Sequence, residues 1–142
     1  MTATTVTADS PVITELARSL TQAANAIRTL ERTAATMHGI SRLELAAIRI
    51  LLDRPTGVSP VELAHELDLH TGQGARLIEH LHRTGLAETG PVGRVTLVTA
   101  TAKARSTADR ATQAVAVRLA DLGLSDDQLG ALSTVCRALV LP

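Results

Sequence analysis

The sequence predicts a mainly α-helical chain with one short β-hairpin in its second half, and three observations lead there. Leu and Ala dominate a 142-residue composition that is 45% hydrophobic and contains no Phe, Tyr or Trp. A core built from such side chains favours helices over strands. Apolar residues recur at spacings of three and four along most of the chain, whereas only the segment around Val95 alternates. Ser followed three residues later by Glu or Gln, a helix-start signature, occurs at Ser41, Ser59 and Ser125. The length suits one domain with one core.

The elements follow in order. The first ten residues are polar and aperiodic, so residues 1–11 read as a disordered tail ending at Pro11. A long helix is expected over about residues 12–37, with Ile13, Leu16, Leu20, Ala23, Ala24, Ile27, Leu30 and Ala34 as its apolar stripe and His38-Gly39 as its stop. Ser41 and Glu44 open a second helix that buries Leu45, Ile48, Leu51 and Leu52 before Asp53-Arg54-Pro55 ends it. Ser59-Pro60-Val61-Glu62 puts a cap, an N1 proline and an N3 glutamate together, starting a short third helix that ends near Leu67. Asp68-Leu69-His70 is a tight connection to a fourth helix, Thr71 to Arg83, with Leu77, Ile78 and Leu81 inward and Gly85 as its stop.

Two short helices joined by a tight turn form a helix-turn-helix. Leu86 to Glu88 and Arg94 to Thr99 then read as two strands about a Gly90-Pro91-Val92-Gly93 turn, with Val95 and Leu97 alternating against Arg94 and Thr96. Such a hairpin is a wing. Thr101 caps a fifth helix to about Leu122, with Ala108, Ala111, Val115, Leu119 and Leu122 on one side, and Ser125 opens a last helix to about Leu141. The fold class is therefore a winged helix-turn-helix with a two-stranded β wing between long N- and C-terminal helices. Its parts are residues 12–40, the winged unit 41–100, and the helices of 101–142, in one compact chain. The apolar faces of the long helices exceed what a winged core can cover, which points to dimerisation through them.

Composition excludes several functions. Without aromatic rings the chain cannot stack bases as RNA modules and single-strand binders do. Fourteen basic and fourteen acidic residues balance, so any polyanion must meet a local patch rather than a global field. One cysteine forms no intrachain disulfide, and no signal peptide or membrane-spanning run is visible, so a cytoplasmic protein with no membrane partner is expected. Thirteen of the fourteen cations are Arg, and the chain is rich in Ala, a habit of high-GC bacterial genomes. No phosphate loop, activated nucleophile or paired carboxylates appear, so no enzyme and no cofactor are expected.

The stretches Gly39 to Leu52, Val58 to Leu69, Arg76 to Leu86 and Val95 to Thr101 resemble, in this order, the second helix, third helix, recognition helix and returning wing strand of the MarR family. The resemblance spans about Leu16 to Leu139. It implies a homodimer that presents two winged helices to a near-palindromic operator in double-stranded DNA, and a repressor that a small-molecule effector releases.

The residue types suit that expectation. Short polar and basic groups on the outer start of a recognition helix reach base edges, which nominates His70, Thr71, Gln73 and Arg76. Ala75 and His80 of the same helix are DNA-binding candidates beside them. Ser59 caps a helix whose amides face phosphate, and Arg94 is the wing's only basic residue. The effector pocket implied by the resemblance would use Ile13, Leu16, Leu20, Ile48 and Leu51, with Arg18 or Arg49 as an anion anchor.

Some positions depart from the family pattern. Gly72 and Gly74 weaken the recognition helix, and Gly74 stands where the family places an aliphatic core residue. Ala75 replaces the usual Ser or Thr, and the wing lacks the Asp-Arg-Arg tip. Residues 70–94 carry three arginines against two glutamates, which predicts salt-sensitive binding. The rival reading is a winged-helix dimer with weak or lost DNA binding, serving as a protein-interaction or small-molecule-binding module. His65, His70, His80 and His82 invite a metal, but no cysteine or close carboxylate is evident beside them, so no metal is expected. Cys136 is expected to be a buried structural thiol.

Overall fold

A computed structural model describes residues 5–140. The elements are α1 (Pro11–Met37), α2 (Arg42–Asp53), α3 (Pro60–Glu66), α4 (Thr71–Arg83), β1 (Ala87–Val92), β2 (Val95–Ala100), α5 (Ala102–Ala120) and α6 (Asp126–Val140). The expected tail falls partly outside the described residues, as does Leu141, and Pro11 belongs to α1 rather than to the tail.

Local chemistry starts these helices. Ser41 Oγ accepts the Glu44 backbone N–H at 3.1 Å while Glu44 Oε2 accepts the Ser41 N–H at 2.9 Å, a closed capping box. Ser125 and Gln128 form the same box at 3.2 and 2.9 Å. The box expected at Ser59 is only half made. Its hydroxyl accepts the Glu62 N–H at 3.2 Å, but the Glu62 carboxylate lies 3.8 Å from Arg54, which also pairs with Glu66. Arg54, at the end of α2, thus ties α3 to α2.

The core lies in the winged unit. Leu45, Ile48, Leu51, Val58, Leu63, Leu81, Leu86 and Val98 are fully buried there, joined by Ala34 and Ala35 at the end of α1 and Ala104, Ala108 and Ala111 at the start of α5. These small α1 and α5 residues let the two long helices cross close to the winged unit, where α1 packs on α5 and both meet α2. Leu52, expected inward, is only half-buried.

The hairpin differs from expectation in its turn. Val92 pairs with Val95, so the turn is the two residues Gly93-Arg94 and Gly90-Pro91 belongs to β1. Gly93 has φ +65° whereas Arg94 is not in the left-handed region, the pattern of a type II′ turn, which suits the twist of a hairpin. Across a two-residue turn the flanking pair is hydrogen-bonded and pairs alternate outward, which puts Pro91 opposite Thr96 at a non-hydrogen-bonded pair. Its missing N–H costs no ladder bond there. By the same alternation Val98 points its backbone groups away from β1, and it exchanges two hydrogen bonds with Val58 at 2.8 and 3.0 Å. Val98 is consequently the buried residue of β2, not Val95, which is exposed, or Leu97, which is half-buried.

The long helices end uncovered. In α1 the described buried residues are Ala34 and Ala35, in α5 burial stops at Ala111, and α6 buries none. Leu119 and Leu122, at the far end of the apolar side of α5 and just beyond it, are exposed, and Cys136 is exposed rather than buried. No described helix is long and apolar enough to cross a membrane.

Candidate nucleic-acid interface

The surface is built from α3, α4 and the hairpin. Asp68 adopts φ +54°, which reverses the chain after α3, and the Leu69 N–H returns to the Ala64 carbonyl at 2.9 Å. This turn sets α4 against α3 so closely that a Cβ added to Gly74 would stand 2.6 Å from the Ala64 Cβ. Gly74 is buried with Leu77, Ile78 and Leu81, and the missing side chain is what lets the helices touch. The departure from the aliphatic residue of the family pattern is a packing solution, with Ala64 filling the space.

With that face inward, Thr71, Gly72, Gln73, Ala75, Arg76, Glu79, His82 and Arg83 of α4 are exposed. Arg76, Glu79 and Arg83 form no ion pair among the described residues. His70 is the exposed N-cap, but its ring makes no cap bond; instead the Gln73 side-chain oxygen accepts the His70 backbone N–H at 3.0 Å. A bidentate grip on adenine needs both the amide oxygen and nitrogen of a glutamine. Gln73 already uses that oxygen to start the helix.

Two candidates are placed elsewhere. Ser59 is half-buried and its hydroxyl oxygen holds the Glu62 amide, within a helix of only seven residues. His80 faces α2, with Nε2 2.8 Å from Glu44 Oε1. The expectation that no carboxylate lies close to His80 is corrected by this contact. Glu44 is 36 residues upstream of His80 in sequence and meets α4 only through the fold, so no spacing signal pointed to it. Arg94 occupies the hairpin tip, exposed and flanked by exposed Pro91, Val92 and Val95.

The residues expected to line an effector pocket are not brought together. Ile48 and Leu51 are fully buried, whereas Leu16 is exposed on the N-terminal half of α1. Arg49 pairs with Glu31 at 2.6 Å, and at about 1.5 Å rise per residue Leu16, Arg18 and Leu20 lie roughly 17–22 Å further along that helix. Neither arginine is a free anchor, since Arg18 pairs with Glu15. A cavity of about 150 Å³ opens elsewhere, where α1 ends beside α2, α4 and α5, lined in part by Glu44, His80, Thr84, Lys103 and Thr107. Lys103 Nζ donates to the Thr84 carbonyl at 2.6 Å and Thr101 Oγ1 to the Gly85 carbonyl at 2.6 Å, so the end of α4 is fastened to the start of α5. Among the described residues no group of three His, Cys, Asp or Glu side chains is placed to hold a metal.

No family model and no curated protein sequence matches the chain. Solved structures do. A MarR-family protein from Bacillus stearothermophilus superposes with a TM-score of 0.77 over 90% of this chain and 92% of its own, at 19% identity. The multiple antibiotic-resistance repressor MarR from Listeria monocytogenes gives 0.71 over 92% and 94%, at 18% identity. The fold is that of the MarR regulators. A third MarR-fold match is a mutant of MepR from S. aureus bound to an oligodeoxyribonucleotide, with a TM-score of 0.67 over 88% of this chain and 95% of its own, at 11% identity. The likeness covers the long helices of the MarR fold as well as the winged unit.

Proposed function

We propose that the chain is a homodimeric DNA-binding transcriptional regulator, a cytoplasmic repressor that a small molecule releases. The observation that carries this reading is the exposed face of α4, with Thr71, Gln73 and Arg76, beside a hairpin whose tip is Arg94, in a MarR fold. A helix presenting these side chains reads a major groove, and an arginine at a wing tip reaches the adjacent minor groove or its phosphates. The fold of MepR, bound to an oligodeoxyribonucleotide, supports the same use of the surface.

Dimerisation follows from what the single chain leaves uncovered. Val12 is 73% exposed on α1, Val117 52% on α5 and Leu139 67% on α6, with Leu16, Leu119, Leu129 and Leu132 exposed on the same three helices. An apolar surface of that extent is covered by a partner, and a second copy is the commonest one. The cavity beside Glu44, His80 and Lys103 is the better place for an effector than the pocket expected from sequence, because it lies where α4 is fastened to α5. A ligand that prefers a different α4–α5 spacing shifts the dimer away from its DNA-competent state.

A gel shift on DNA flanking the protein's own gene, at low and at physiological salt, tests the reading. Wild type is expected to shift a specific fragment, and Arg76→Ala combined with Arg94→Ala to abolish the shift at physiological salt. A wild type that shifts nothing at low salt, or a double variant that binds equally well, overturns it in favour of an interaction module that has lost its operator.

A further inference from the structure

The two glycines of α4 answer to different neighbours. Gly74 faces inward, and the fold itself forbids a side chain there, since a Cβ would collide with Ala64 at 2.6 Å. At Gly72 nothing lies within 4 Å of an added Cβ, and its φ is not in the left-handed region. Packing and backbone conformation would both accept alanine, which also forms helix more readily. Nothing among the described residues accounts for glycine at this position.

At 3.6 residues per turn Gly72, Arg76, Glu79 and Arg83 form one row, directly opposite the buried row of Gly74, Leu77, Ile78 and Leu81. When α4 enters a groove buried side inward, this outer row goes deepest. Arg76 and Arg83 extend from it, while Gly72 leaves the first turn bare.

We propose that Gly72 is kept without a side chain by the duplex, as the positioning residue at which the α4 backbone itself comes closest to DNA. Glycine is the residue used where backbone must approach a ligand closely. The proposal rests on the DNA-binding reading above and adds to it the depth at which the helix seats. A β-carbon at residue 72 would lift the start of α4, drawing Thr71, Gln73 and Arg76 away from base edges together.

The test uses the full chain and the best duplex that wild type recovers from a randomised double-stranded library. Gly72→Ala and Gly72→Leu are compared with wild type by fluorescence anisotropy on that duplex and by thermal unfolding. Affinity is expected to fall about tenfold for alanine and further for leucine, as overpacking in a tight contact does. Tm is expected to hold or to rise by about 1–3 °C, because both residues favour the helix. Binding by both variants within twofold of wild type overturns the proposal and leaves the regulator reading standing. A loss of affinity that follows a loss of Tm assigns Gly72 to the fold and overturns it as well. A wild type that recovers no duplex overturns the regulator reading itself.

Discussion

Leu45, Ile48, Leu63 and Leu81 of the winged unit are fully buried, whereas Leu129, Leu132, Val135 and Leu139 of α6 are all exposed. Both sets are aliphatic residues at helical spacing. The difference lies in what surrounds them: α2, α3, α4 and the hairpin enclose one another within about 60 residues, with Val58 and Val98 closing the seam between loop and sheet. α6 and the outer halves of α1 and α5 have no such enclosure in one chain. The winged unit is therefore a finished core, and, on the dimer proposed above, the long helices are half of one.

That contrast breaks most visibly on α6. Leu129→Glu combined with Leu132→Glu is expected to convert a dimer to a monomer by light scattering at micromolar concentration, with far-UV helicity of the winged unit retained. A protein that is already monomeric, or a variant that stays dimeric, removes the half-core interpretation. Within the finished core, Leu81→Ala should lower unfolding stability by about 2–5 kcal/mol in urea titrations, because a fully buried leucine leaves a cavity. A loss below about 1 kcal/mol would show that the unit is looser than its burial indicates.

Smaller effects sharpen the comparison. Gly74→Ala should cost about 1–3 kcal/mol by forcing α3 and α4 apart at Ala64, even though alanine is the better helix former. A stabilised variant would mean that the helices separate freely. Ser41→Ala opens the capping box of α2 and should cost about 1 kcal/mol. The matching Ser125→Ala on α6 is expected to cost similarly in the dimer, and its unfolding midpoint should move with protein concentration. A midpoint independent of concentration would uncouple α6 from association.

Legibility followed the range of the interaction. The capping boxes at Ser41 and Ser125 involve residues three apart, and both are formed as the sequence suggests. The Ser59 box is half formed because Arg54, five residues upstream of Ser59, attracts the Glu62 carboxylate. Gly90-Pro91 carries the stronger turn signal, yet Gly93 makes the turn, since Pro91 falls on a ladder position that needs no N–H. The outward placement of Thr71, Gln73 and Arg76 follows from periodicity, whereas His80 is drawn to a glutamate on another helix.

By itself the sequence determined the order of helices and hairpin, the aliphatic character of the core and the exposed row of α4, because these depend on residues within a turn or two of each other. Tertiary structure alone decided which glycine the fold requires, that the expected effector residues do not meet, and that Cys136 lies exposed on α6. Each of those depends on whether a residue from a distant segment arrives within van der Waals reach. Spacing along a chain sets which face a side chain takes, and only packing sets what that face meets.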